Sequence, residues 1–378
     1  MPSILSYITR RIKPSCAVWE ITLRCNSKCI HCGSLAGKAR YDELDTEEAL
    51  QLVNDLHSCG YKGVALMGGE PLVREDWFEI ATEVKKLKME LSIVTNGLNL
   101  KRHIQQVKKL NVDCISLSLD GATPKTHDYL RGIDGAFENT LEVMRLLENE
   151  ELPISIITTV SKINFNEIEK IKDIIVDRNI AWQIQLAIPI GRFPRDLVIS
   201  REQFYTLALF ISINAKKYSY KRLPIIGAHC FGYYSKFMPN LGLDPWVGCQ
   251  AGLSILGIQS NGNIKGCLTH PDSLIVGNIR NQPLKKILSN PSAFRYNRAF
   301  KTDYLKGYCI NCDVNKECKG GCYGTSIALK SYDNPYCLRA IENQSSLPGN
   351  VPLRGKLNVY FSKYQNLYKK IISKKNLV

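Results

Sequence analysis

Cys25-Asn26-Ser27-Lys28-Cys29-Ile30-His31-Cys32 follows directly on the apolar run Cys16 to Leu23. Three cysteines at Cys-x3-Cys-x2-Cys spacing can wrap one cubane iron–sulfur cluster, each thiolate taking a separate iron. The loop supplies no ligand for the fourth iron, so a small molecule can chelate it. Zinc is the competing reading. Zinc loops favour Cys-x2-Cys or Cys-x4-Cys pairs and usually close with a fourth ligand. His31 is the neighbour that could supply one, but its place between Ile30 and Cys32 suits it poorly to the same metal.

The 378 residues allow a large domain plus a smaller one. A hydrophobic content of 44% with 22% charged residues describes a globular chain with ample core. Fourteen cysteines in clusters, with no secretory signal, point to metal rather than disulfides. No run reaches membrane-spanning length, since Glu20 and Arg24 interrupt the apolar stretch behind Arg10, Arg11 and Lys13. A cytoplasmic location is expected. The formal charge of +15 falls to about +10 if eleven cysteines become thiolates around three dicationic clusters. Basic residues are widely spread and not interleaved with aromatics, so no nucleic-acid partner is expected. An acidic peptide segment remains compatible.

From Cys16 to about Leu186, short apolar runs alternate with helical stretches. The strands read are Cys16 to Leu23, Gly63 to Met67, Leu91 to Thr95, Cys114 to Leu119, Ile154 to Val160 and Ala181 to Leu186. Asp45 followed by Glu48 opens the first helix as a capping box. Further helices are read at Glu75 to Leu87, Lys101 to Leu110, Ala136 to Leu147 and Asn164 to Asp177. Six strands with helical crossovers imply a parallel sheet curling into a partial barrel, two units short of eight. The fold class is therefore α/β, a partial (βα)6 TIM-like barrel with a small cysteine-rich C-terminal domain.

The polar motifs fall on one rim. The cysteine triad follows strand one, Gly68-Gly69-Glu70-Pro71 follows strand two, Thr95-Asn96-Gly97 closes strand three and Ser118-Leu119-Asp120-Gly121 closes strand four. These are C-terminal strand ends, where parallel barrels place active sites. Gly68 and Gly69 would let a ligand ammonium reach backbone carbonyls, with Glu70 adding a carboxylate; alternatively they form a turn before a helix starting at Pro71. Gln183 and Gln185 alternate on strand six and either face the mouth or satisfy core groups. Cys16, Cys59 and Cys114 read as buried thiols without a role. Residues 191–247 form a bridge with one helix, Arg201 to Lys216, and then a Gly-, Pro- and aromatic-rich segment holding Cys230. A second cysteine system follows: Cys249, Cys267, Cys309, Cys312, Cys318, Cys322 and Cys337, with Gly262 separated from Cys267 by four residues. Leu256 to Ile264 reads as two strands around Asn261-Gly262. Four of these cysteines could instead form a zinc ribbon.

The triad spacing, Gly68-Gly69-Glu70-Pro71 and the seven later cysteines together resemble radical S-adenosylmethionine (SAM) enzymes with a C-terminal SPASM, or auxiliary-cluster, extension. The resemblance spans nearly the whole chain: barrel 1–190, bridge 191–247, SPASM domain 248–345 and a basic, helix-like tail 346–378. It implies SAM and three [4Fe-4S] clusters as cofactors. Cys25, Cys29 and Cys32 would hold the SAM-binding cluster, and an electron from it would cleave SAM to a 5′-deoxyadenosyl radical. By position, Cys309, Cys312, Cys318 and Cys337 would ligate an outer auxiliary cluster, and Cys249, Cys267 and Cys322 an inner one. Family members often carry a further cysteine just before the first of the seven. Here Cys230 stands nineteen residues upstream, so it is either the fourth inner ligand or the inner cluster has an open iron. Gly68, Gly69 and Glu70 would bind the methionine part of SAM, Ser118 and Asn96 its ribose, and Arg131 its carboxylate, unless Arg131 is a surface residue.

Such enzymes mostly modify peptides or proteins, so the leading expectation is a maturase of a ribosomally made peptide that crosslinks or oxidises it. No leader-binding domain is expected before Cys25, so the basic bridge and tail or a separate leader-binding protein would receive the leader. The electron donor would be a flavodoxin or ferredoxin. A sulfatase-maturase reading is disfavoured because Leu268, not Asp, follows Cys267. Modification of a porphyrin or cofactor precursor is a further reading, and a non-enzymatic zinc protein binding nucleic acid is the distant one. No proton-transfer residue stands out. Asp120, Tyr233 and Tyr234 are the candidates.

Overall fold

The computed structural model describes residues 14–231, 234–238, 241–242, 246–331 and 334–344. The N-terminal basic residues, Tyr233 and the tail 346–378 lie outside them. Among the described residues ten strands form one sheet. The barrel strands are β1 (Cys16–Thr22), β2 (Gly63–Gly68), β3 (Glu90–Thr95), β4 (Cys114–Ser118), β5 (Ile154–Val160) and β6 (Ala181–Leu186), each parallel to the next. All six expected strands are present within one or two residues of their sequence bounds.

The sheet continues past both expected edges. β7 (Ile225–Gly227), inside the stretch read as a bridge, pairs parallel with β6. β8 (Ile255–Ile258) pairs parallel with β1, and β9 (Asn263–Lys265) and β10 (Gly277–Asn278) extend it antiparallel. Boundaries at 190 and 248 therefore cut through one continuous sheet. β7 was missed because it has only three residues; β8 and β9 were expected as a hairpin, but not the pairing of β8 with β1 far back in the chain.

Crossover helices cover the outer face: α1 (Thr46–Ser58), α2 (Trp77–Lys86), α3 (Ile104–Leu110), α4 (Pro124–Arg131), α5 (Ala136–Asn149), α6 (Ile168–Ile175) and α7 (Arg201–Lys217). Asp45 caps α1 reciprocally: Glu48 N–H donates to Asp45 Oδ1 at 2.9 Å and Asp45 N–H donates to Glu48 Oε2 at 3.0 Å. α4 was not anticipated. It is eight residues long and mostly polar, but Thr123 caps it and Pro124 opens it. Smaller helices of the cysteine-rich region are α8 (Leu284–Ser289), α9 (Arg295–Arg298), α10 (Asn315–Cys318), α11 (Tyr323–Leu329) and α12 (Leu338–Gln344).

Burial alternates along the strands and shows how the barrel is filled. Trp19, Leu66, Ile93, Ile115, Leu117, Ile156, Trp182 and Ile184 are fully buried beneath the helices. The alternate positions are only partly buried and mix polar side chains (Ser92, Ser118, Ser155, Thr159, Gln183 and Gln185) with apolar ones such as Val94 and Ile157. Large apolar side chains thus form the helix–sheet core, while the concave face carries most of the strands' polar side chains.

Candidate functional site

The cysteine loop leaves β1 and is closed at its base by Cys25 N–H donating to Gly37 O and Gly37 N–H donating to Leu23 O, both at 3.0 Å. One flank rests on the end of α4. The last carbonyls of a helix lack intrahelical partners, and here the loop supplies them. Lys28 N–H donates to Arg131 O (3.2 Å), Ile30 N–H to Leu130 O (3.1 Å) and Ser27 Oγ to Arg131 O (2.6 Å). Gly132 makes this possible, because at φ +66° an added Cβ would stand 2.4 Å from Lys28 O. The other flank rests on the segment after β6. Arg192 N–H donates to Cys32 O (3.1 Å), its Nε to Cys29 O (3.1 Å) and its Nη1 to Ala36 O (2.8 Å).

Donors converge on the three sulfurs. Ala36 N–H lies 3.3 Å from Cys32 Sγ, Arg131 Nη1 3.6 Å from Cys29 Sγ and Asn96 Nδ2 4.0 Å from Cys25 Sγ. Such an environment suits thiolates bound to metal. Burial pushes the free Cys25 thiol up to about 11, so a bound cation is what would keep it deprotonated.

Behind the triad lies a buried charge cluster. The Asp120 carboxylate is fully buried, with Oδ2 3.2 Å from His31 Nε2 and 3.3 Å from Arg131 Nη1. Its Oδ1 accepts from Thr159 N–H at 2.7 Å. Burial alone would raise its pKa, but His31 and Arg131 outweigh burial and hold it well below the usual carboxylate range. Asp120 thus lies between His31 of the cysteine loop and Arg131 at the end of α4. His127 on α4 accepts from Asp120 N–H through Nδ1 at 3.0 Å.

The glycine motif packs closely against the end of β1. A Cβ on Gly68 would stand 2.4 Å from Thr22 O, and one on Gly69 2.1 Å from Arg24 O. The glycines are thus required by contact with β1 and the loop after it. Glu70 turns inward, 1% exposed, accepting from Thr95 Oγ1 (2.6 Å), Asn96 N–H (2.7 Å) and Leu72 N–H (3.2 Å). Its carboxylate joins the end of β2 to the end of β3. Burial raises its pKa above the ordinary value. Pro71 does start a short 3-10 turn, Pro71–Val73. Asn96 reaches the triad loop, donating to Asn26 Oδ1 at 2.8 Å. Arg131 is not a surface residue; it is 8% exposed and faces Cys29, His31 and Asp120. Ser118 is half-buried at the end of β4. Gln185 donates to Thr159 Oγ1 at 2.9 Å.

The later cysteines gather in two places. Cys309, Cys312, Cys318 and Cys337 line one cavity together with Tyr234 and Arg339. Tyr234 is therefore beside these four and not at the triad; its hydroxyl donates to Trp246 O at 2.8 Å. Cys249, Cys267 and Cys322 form the second group, each electrostatically coupled to the others, and Cys322 also couples to Cys230. Burial pushes the thiols of Cys230, Cys249, Cys318 and Cys337 up to about 12. Among the described residues no three His, Cys, Asp or Glu side chains converge as one ion requires. Cubane ligands bind separate irons and need no such convergence.

A cavity of about 540 Å³ opens beside Cys249, lined by Tyr296, Phe300, Tyr304 and Tyr323 and by the cations Arg295, Lys306 and Lys319. His270 stands edge-on to the stacked Tyr296 and Tyr323 rings, 2% exposed, with both ring nitrogens lacking a hydrogen-bond partner among the described residues. Sequence reasoning passed over His127, Arg192 and His270. Only Arg192 carried a local signal, a Gly-Arg pair just past a strand end on the functional rim.

Residues 19–175 match the family model described as the radical SAM superfamily, and residues 249–313 match SPASM, an iron–sulfur cluster-binding domain. The AdoMet-dependent heme synthase of Methanosarcina barkeri is 31% identical over 340 residues, spanning 86% of this chain and 96% of that protein. The PqqA peptide cyclase of Rhizobium meliloti is 25% identical over 346 residues, spanning 88% and 89%. The crystal structure of Streptococcus suis SuiB bound to S-adenosylmethionine superposes with a TM-score of 0.70 at 19% identity, over 89% of this chain and 79% of that one.

Proposed function

The chain belongs to the radical SAM superfamily, with a SPASM extension, and from that premise we propose that it modifies a carboxylate-bearing tetrapyrrole in the making of a heme-type cofactor. The observation that carries this reading is the end-to-end likeness to a heme synthase, 31% over 86% of the chain. It displaces peptide maturation as the leading reading. The cavity beside Cys249 supports it, because aromatic faces and three cations, set against the single carboxylate of Asp303, suit a flat ring bearing carboxylates. Its volume lies within the range of small-molecule sites. Peptide maturation stays as the second reading because the peptide cyclase also aligns over 88% of the chain.

SAM and its cluster supply, when bound and reduced, a carbon radical able to abstract hydrogen from the substrate. The protein's share is positioning. Cys25, Cys29 and Cys32 would hold the cluster, α4 and Arg192 fix their loop, and Asn96 and Arg131 place donors against the sulfurs. Ser118 faces the concave side, suited to a ribose hydroxyl. Cys309, Cys312, Cys318 and Cys337 would hold the outer cluster, and Cys249, Cys267, Cys322 and Cys230 the inner one, giving three clusters. An acidic flavodoxin or ferredoxin would deliver the electron, in the cytoplasm. Among the described residues no helix is long and apolar enough to cross a membrane.

The test is anaerobic incubation of the reconstituted protein with SAM, a reductant and iron coproporphyrin, with a candidate precursor peptide in a parallel arm. A SAM-dependent loss of mass from the porphyrin, accompanied by 5′-deoxyadenosine, is expected. An unchanged porphyrin beside a modified peptide would move the assignment to the second reading.

A further inference from the structure

We propose that Gly191 and Arg192 position the radical-cluster loop from the opposite end of the barrel. β1 and β6 are separated by four strands in the sheet, so the loops that follow them meet only because the sheet curls. Where they meet, contact is close. Gly191 has φ +59°, and an added Cβ would lie 2.2 Å from Cys32 O and 2.7 Å from Gly33 O. A Cβ on Gly33 would in turn lie 2.9 Å from Ile190 Cδ1. Each chain approaches the other at a glycine.

Arg192 then binds three carbonyls of the loop. Its backbone N–H takes Cys32 O, and its side chain spans Cys29 O and Ala36 O, which lie seven residues apart in sequence. A planar guanidinium holds two acceptors at a fixed separation; a lysine ammonium cannot. Two of the three carbonyls belong to cluster ligands. Fixing Cys29 O and Cys32 O fixes the peptide planes from which those two thiols project, and Ala36, whose carbonyl is the third, donates its N–H to Cys32 Sγ at 3.3 Å. Arg192 touches no sulfur, so it is a positioning residue. It is also independent of which substrate the enzyme uses.

Arg195 provides the control. It lies in the same segment, but its Nη2 donates to Ala328 O at 3.1 Å, away from the triad. Reconstituted full-length R192A, R192K and R195A would be compared with the native protein by electron paramagnetic resonance of the reduced state with and without SAM. Only the triad cluster should respond to SAM. Iron release to a chelator would be timed alongside. R192A is expected to lose iron from the SAM-responsive cluster about 10- to 100-fold faster, the range found for residues that orient metal ligands, and to show a weakened SAM-induced spectral change. R192K should fall between R192A and native, and R195A should match native. Native-like release and SAM response in R192A would overturn the proposal, as would an equal loss in R195A. If R192A fails to fold, native behaviour in R192K would overturn it as well.

Discussion

His127 and His270 are buried bases, and the pH dependence of stability follows from that. His127 is 1% exposed and its Nδ1 already accepts from Asp120 N–H. Burial first, and the neighbouring Arg131 charge second, lower its pKa from 6.5 to about 4. A base with a depressed folded pKa binds fewer protons folded than unfolded. The stability it contributes is complete above about pH 6.5 and is lost as pH falls toward 4. Between pH 7.5 and pH 5 the linkage amounts to about 2 kcal/mol for this one side chain. The perturbation is His127→Asn, whose side-chain oxygen can accept from Asp120 N–H but does not titrate. Urea unfolding of both proteins under argon at the two pH values gives the answer as a difference of differences, since every other group titrates in both. H127N should lose about 2 kcal/mol less than the native protein on acidification. Histidine-selective carbon-13 labelling checks the cause directly, because the chain has only six histidines. The signal absent from H127N should stay in its neutral form at pH 5.5. Equal losses in the two proteins, or a signal titrating near 6.5, would refute the reasoning.

Three further outcomes are expected. Asp120→Asn leaves Arg131 and His31 beside a neutral amide, and breaking a buried pair this way should cost about 3–5 kcal/mol of unfolding free energy at neutral pH. Because the Asp120 pKa is depressed, that deficit should be constant above about pH 5 and shrink as pH falls below the unfolded value near 3.9, as denaturant midpoints across that range would reveal. Gly132→Ala adds a Cβ 2.4 Å from Lys28 O at a φ of +66°. About 1–3 kcal/mol of strain is expected, released by moving the triad loop, so the SAM-responsive cluster signal should fall while circular dichroism stays native. Cys318→Ser should remove about four irons per chain and leave that signal intact; loss of all iron together would show that the cysteine groups are not separate sites.

The parallel strands and the rim were legible because their signals are local. Each strand is a short apolar run, each functional group follows one, and the Asp45–Glu48 cap is written within four residues. What escaped was the partner of each group. A Gly-Gly pair announces missing Cβ atoms, but whether a ligand or a backbone fills the space depends on Thr22 and Arg24, some 45 residues earlier in the chain. Glu70 announces a carboxylate, yet Thr95 and Asn96 decide that it faces inward. β8 reads as half of a hairpin, and nothing in Ile255–Ile258 says that its other neighbour is β1. Arg192 marks the limit of this kind of reading. Its bonds go to three main-chain carbonyls, every residue has one, and so no residue type in the cluster loop could have pointed back to it.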